Sequence, residues 1–216
     1  MPSWESLKNK QNELIRKALE GSVFAAPYTS SVIATLTGAD SALLALPAGY
    51  EDVGNIGSDG AQFGRDVETS DVTSWGAVEP TRRDITSDTT TLQVAMQETK
   101  RNVIGLYTGA DMTAVTPDAT SGEVIVEKPD RPSVRYYRVL AIAVDLAEAG
   151  DIYVARFLPR ASVTDFDEQA FQSSDDEPIT YGVTFTGFMD SAAGYSERWH
   201  FGGPGWEALL ASMGWT

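Results

Sequence analysis

Few residues in this chain have the type and spacing to do chemistry. It has a single histidine and no cysteine. His200 sits among Trp199, Phe201 and Arg198. A catalytic base needs a second group to orient it, and a metal site needs further ligands. Neither a second imidazole nor a thiolate exists to supply them. The run Gly54–Asn55–Ile56–Gly57–Ser58–Asp59–Gly60 has the composition of a phosphate-cradling loop. Such a loop requires Lys and Ser/Thr directly after its last glycine. Here Gly60 is followed by Ala61 and Gln62, and Gly64 by Arg65 and Asp66. Asp59 and Asp66 would also repel phosphate, so a surface loop is expected. Asp165, Asp167 and Glu168, and again Asp175, Asp176 and Glu177, could chelate calcium, but both runs lack the spacing and glycine of a calcium loop. No G-x-S-x-G nucleophile turn occurs. No catalytic, cofactor-binding or metal-binding residue is assigned, and no enzyme is expected.

Charge says more. Sixteen basic side chains stand against thirty-one acidic ones, a formal charge of −15. Between Ala161 and Glu197 there is no base at all. Such a surface repels phosphate backbones, which excludes tight nucleic-acid binding. The longest apolar stretches, near residues 42–46 and 140–144, fall far short of the ~20 residues of a membrane-spanning helix. The charged first residues do not form a signal-peptide core, so a soluble product without membrane contact is expected.

The elements that must hold these residues are mostly strands. Residues 82–97 alternate, with Leu92, Val94 and Met96 on one parity and Ile85 on the other. A bulge or bend near residues 87–91 would reconcile the halves. Residues 179–187 alternate strictly, placing Tyr181, Val183 and Phe185 opposite a threonine-rich face. Strands are also expected over 31–37, 67–78, 123–128, 133–146 and 152–159, the last two joined by a turn at 149–151. Extended chain should continue over 162–166. Helices are expected over 4–20, 98–107 closed by Gly109, and about 206–214. The expected fold is mainly β, a β-sandwich or partial barrel with a short central helix and helices at both termini. It forms one domain over 1–216, with an N-terminal arm or helix over about 1–30 and a long loop over about 48–80. These excursions suit a subunit that interlocks with copies of itself.

Pro47, Gly49, Tyr50, Asp52, Gly54, Asp59, Gly60, Trp75, Gly76, Pro80 and Arg82 follow a recognisable order. It runs from a proline–glycine–tyrosine turn through an Asp-Gly turn and a Ser/Thr-rich acidic stretch to Trp-Gly and a Pro-x-Arg lead into a strand. This resembles the major tail subunits (major tail tube proteins) of long-tailed phages infecting actinobacteria. The resemblance implies a tube-forming β fold in which rings, usually six-fold, stack into a hollow tail. It implies partners too: further copies of the chain, a tape measure, a tail terminator, and double-stranded DNA that passes without specific binding. The place implied is the virion tail, after synthesis in the host cytoplasm. Candidate inter-subunit contacts are Tyr50, Asp59, Gly60, Trp75 and Arg82, and candidate lumen carboxylates are Asp84 and Asp88. For Trp75, plugging its own core remains an equal alternative. A β-sandwich module of a phage tip that recognises a carbohydrate or receptor is the other function class left open.

Overall fold

Period-two alternation produces the longest strands. The computed structural model describes residues 3–128, 130, 133–172 and 178–215. Its strands are β1 (Glu20–Pro27), β2 (Glu51–Asp52), β3 (Gln62–Val72), β4 (Arg82–Met96), β5 (Tyr137–Ala147), β6 (Gly150–Phe166), β7 (Tyr181–Gly187) and β8 (Arg198–Gly202). Its helices are short: α1 (Trp4–Leu7), α2 (Arg101–Thr108) and α3 (Pro204–Leu209).

The strands form one antiparallel sheet in the order β2-β1-β5-β6-β7-β4-β3, with β8 also on β6. The sheet curls, and residues 51–57 close the gap. Asp52 pairs with Phe24 of β1. A few residues on, Ile56 bridges Met96 of β4, flanked by Gln97 N–H to Asn55 O (2.9 Å) and Gly57 N–H to Ala95 O (2.8 Å). The expected mainly-β partial barrel is what forms.

β6 makes the curl possible. It pairs with β5 along one edge, and along the other with β8 over Tyr153–Phe157 and then with β7 from Ala161. Between these partners lies Pro159, which has no N–H to give a ladder, and the β5 register shifts there. Inside the curl, Val23, Leu92, Val94, Met96, Val139, Leu158, Val183 and Phe185 are buried, capped by Val103 and Leu106 of α2. Each fully buried side chain of this size contributes about 1.5–3 kcal/mol. α2 ends at Gly109, whose φ of 68° suits a left-handed cap.

Several expected elements do not form. The helix over 4–20 is reduced to α1 and a single 3-10 turn (Asn12–Leu14). Asp145 holds this segment down, accepting from Arg16 Nη1 (3.3 Å) and Lys17 N–H (3.2 Å), and the chain must be extended to join β5 at Leu19. Its apolar stripe has no surface to cover, and Leu7, Ile15 and Leu19 stay exposed. A helix of this length without packing is marginal. The arm over 1–30 therefore ends as β1, and Gly21 lies in a strand instead of stopping a helix.

Residues 31–37 wrap the outer face of β5 and β6 as irregular chain. Ile33 and Leu36 are both buried there, a spacing of three that no single strand face provides. Residues 123–128 alternate but meet no partner strand among the described residues, and Val124 and Ile125 remain exposed. The long loop over 48–80 is loop only in part, because Gln62–Val72 forms β3. The β5–β6 turn comes one residue earlier than expected, at Glu148 and Ala149, with Gly150 opening β6 at φ 125°.

Candidate assembly surfaces

β3 and β4 leave the barrel together. Gln62 to Gly64 pair where β4 still contacts β7, but beyond Thr91 the two strands run on as a free hairpin arm. From Gly64 to Val72 it reaches about 27 Å at ~3.4 Å per residue. Its root is held by an aromatic clamp: the Arg156 guanidinium lies 3.8 Å from the Phe63 ring and 4.2 Å from the Trp199 ring. Glu197 pairs with Arg156 and accepts from Thr90 Oγ1 (3.2 Å).

A bulge gives the arm two different faces. Glu68 pairs with Ser87 and Thr69 with Ile85, so Thr86 has no partner. Side-chain parity inverts there. Ile85 thus joins Leu92 and Thr90 on the face continuous with the core, beside Phe63, Arg65, Val67, Asp71, Arg83 and Asp88. This is the reconciliation the sequence required, one residue before the expected stretch. The opposite face carries Asp66, Glu68, Ser70, Asp84, Ser87, Thr89 and Arg82, with exposed Val72 opposite Arg82 near the tip.

The charges differ accordingly. On the core-side face both arginines are matched. Arg65 donates to Asp88 through two nitrogens (2.8 and 2.6 Å), and Arg83 to Asp71 likewise (2.7 and 2.8 Å). These hydrogen bonds hold both carboxyls below their ordinary range. Exposed Val67 and Ile85 share that neutral face. The other face has three carboxylates against Arg82, which pairs with Asp84 (2.8 Å).

Each expected contact residue can now be placed. Trp75 does not plug the core; it stands at the arm tip, fully exposed with Val78. Arg82 is exposed on the acidic face, while Asp84 and Asp88 lie on opposite faces, each with an arginine. Exposed Asp59 and half-buried Gly60 form a turn closed by Gly60 N–H to Gly57 O (2.9 Å). Tyr50 turns inward. Its ring packs near Phe157 (centroids 6.4 Å apart), its hydroxyl donates to Ser31 O (2.9 Å), and burial pushes its pKa up.

The glycine loop wraps the chain's own carboxylate. Asn55 N–H donates to Glu98 Oε1 (2.7 Å), and a Cβ at Gly54, where φ is 87°, would collide with that carboxyl. His200 lies on β8, its pKa lowered by burial, with Nε2 meeting no hydrogen-bonding group among the described residues. Asp165 is the penultimate residue of β6, and Asp167 accepts weakly from Gln93 (3.4 Å). Asp175, Asp176 and Glu177 lie outside the described residues.

The family described as phage tail tube protein matches residues 8–201. The chain belongs to that family. It is a tail tube subunit, a structural component of the virion tail. No curated protein matches it. Among solved structures it is similar to one titled "Tail of empty GTA particle computed with helical refinement, C6 symmetry". The identity is 12%, over 66% of this chain and 84% of that one, with a TM-score of 0.34. It is also similar to "Virion of native gene transfer agent (GTA) particle" (12%, 70% and 88%, TM-score 0.34) and to "Crystal structure of Hcp protein" (10%, 82% and 97%, TM-score 0.33). At such scores the likeness adds nothing to the family match.

Proposed function

We propose that this tail tube subunit assembles into stacked rings, six-fold as the family resemblance implies, whose lumen carries double-stranded DNA without binding it. The observation that supports this is the two-faced arm. Its neutral face, with matched Arg–Asp pairs and exposed Val67 and Ile85, suits burial against a neighbouring copy. Its acidic face, with Asp66, Glu68 and Asp84, suits a channel wall. Like charge keeps a duplex from adhering while it slides. Asp88, bound to Arg65 on the neutral face, then belongs to the subunit contact and not to the lumen. The Asp59–Gly60 turn and Arg82 remain exposed candidates for contact, whereas Tyr50 serves its own core. Tape measure and tail terminator would be further partners of such a tube, after synthesis in the host cytoplasm.

Electron microscopy of the purified chain at rising concentration tests this. Hollow tubes of uniform diameter are expected, either spontaneously or on addition of a tail initiator complex. A chain that stays monomeric under both conditions overturns the proposal.

A further inference from the structure

The arm tip is bare, and a hollow of fitting chemistry lies open elsewhere on the same chain. Residues 73–81 present Trp75 and Val78 on a loop whose one charged residue is Glu79. Beside α2 lies a groove of about 880 Å³ walled by Tyr107, Val134, Tyr136, Val163, Phe166 and Phe188. Its rings are braced edge to face: Tyr107 against Phe166 (centroids 5.9 Å, 88°) and Tyr136 against Phe188 (5.9 Å, 86°). Even so, Val134, Phe166 and Phe188 remain 71%, 48% and 37% exposed. Exposed aromatic area of this kind, already ordered, is what binding surfaces use.

Charge selects the occupant. Among the described lining residues the charged ones are Lys128 and Arg135, with no carboxylate. Arg135 is shared with Asp111 (3.3 Å), but Lys128 makes no ion pair among the described residues. Another apolar hollow, between β1 and the glycine loop, includes Glu20, and its Arg156 is already held by Glu197. An acidic, tryptophan-bearing tip fits the first groove and is opposed by the second.

We infer that the arm tip of one copy docks in this groove of a second copy, Trp75 and Val78 between the aromatic walls and Glu79 against Lys128. The contact is heterologous, so every copy both gives a tip and receives one. Such contacts generate rings or filaments. The inference rests on the tube-subunit reading and adds which surface the arm meets.

The chain has no cysteine, which makes the test clean. A Val78→Cys, Val134→Cys double variant, oxidised under assembling conditions, should give a ladder of disulfide-linked oligomers on a non-reducing gel. Val78→Cys alone should stop at dimers. Glu79→Lys and Lys128→Glu should each raise the critical concentration for tube formation about tenfold, and the combination should largely restore it. Tubes of normal appearance without a ladder, or single charge variants without mutual rescue, overturn the docking while the tube reading stands. If the unaltered chain forms no tubes, the tube reading falls first and the docking falls with it.

Discussion

Arg138 ties three separate segments to the barrel, and its replacement is the most damaging single change we expect. Its Nε donates to Tyr28 O (3.1 Å) and Ser30 O (2.7 Å), and its Nη1 to Pro159 O (3.0 Å) and Asp190 Oδ2 (3.2 Å). Asp190 is fully buried and also accepts from Ala192 and Ala193 N–H (2.9 and 3.2 Å). Burial alone would push its carboxyl pKa up. The two amides and Arg138 outweigh it, and the pKa is lowered. Arg138→Leu leaves a buried carboxylate unpaired and three carbonyls short of a donor, a loss of about 3–5 kcal/mol. Urea denaturation of the unassembled chain measures it. The sign of the pH effect follows from the lowered pKa. Asp190 contributes its full stabilisation above the ordinary carboxylate value of about 4, and loses it as pH falls through the lowered one. Asp190→Asn should therefore be less stable at neutral pH and flatter in acid.

At the scale of the element, the arm depends on one unpaired residue. Inserting one residue between Glu68 and Thr69, opposite Thr86, would restore continuous pairing and turn over the tip half of both strands. Ile85 and the Arg83–Asp71 pair would then join Asp66 and Glu68, and Asp84 would cross to the side of Val67. Because residues 65–86 lie outside the buried core, the thermal midpoint should change by no more than a few degrees. Assembly, followed by light scattering, should be lost. An assembly-competent insertion would show that the two faces are not what neighbours read. The opposite parities of Ile85 and Leu92 already demanded a bulge, but the sequence does not show which strand pairs outward and which remains an edge. Trp75 could be singled out by type, yet only the missing cover of a free hairpin exposes it. Tyr50 stood beside it in the same motif and turned inward, because residues 31–36 fold over the sheet to meet it.

At the scale of the whole molecule, a charge of −15 works against any assembly of identical copies. Added salt screens that repulsion over a Debye length of about 10 Å at 0.1 M. Raising ionic strength from about 20 to 200 mM should lower the critical concentration for tube formation, even though it weakens the single Glu79–Lys128 contact. Sedimentation of assembled material across a salt series checks this. A critical concentration that rises with salt would mean that attractive ion pairs dominate the interface.

The sequence by itself determined what depends on neighbouring residues along the chain. Alternation set β4 and β7, Gly109 set the end of α2, and composition set the acidic surface and the poverty of catalytic groups. Tertiary structure decided what depends on finding a partner. Residues 4–20 and 123–128 carry valid helix and strand periodicities, yet among the described residues neither has its whole apolar face covered, and a period without burial does not hold an element. Residues 20–27, rich in small side chains, show little periodicity but become a strand because β5 offers an edge. The groove beside α2 is the extreme case. Its walls come from Tyr107, Tyr136, Phe166 and Phe188, distant in sequence, and only the curl of the sheet around β6 brings them together.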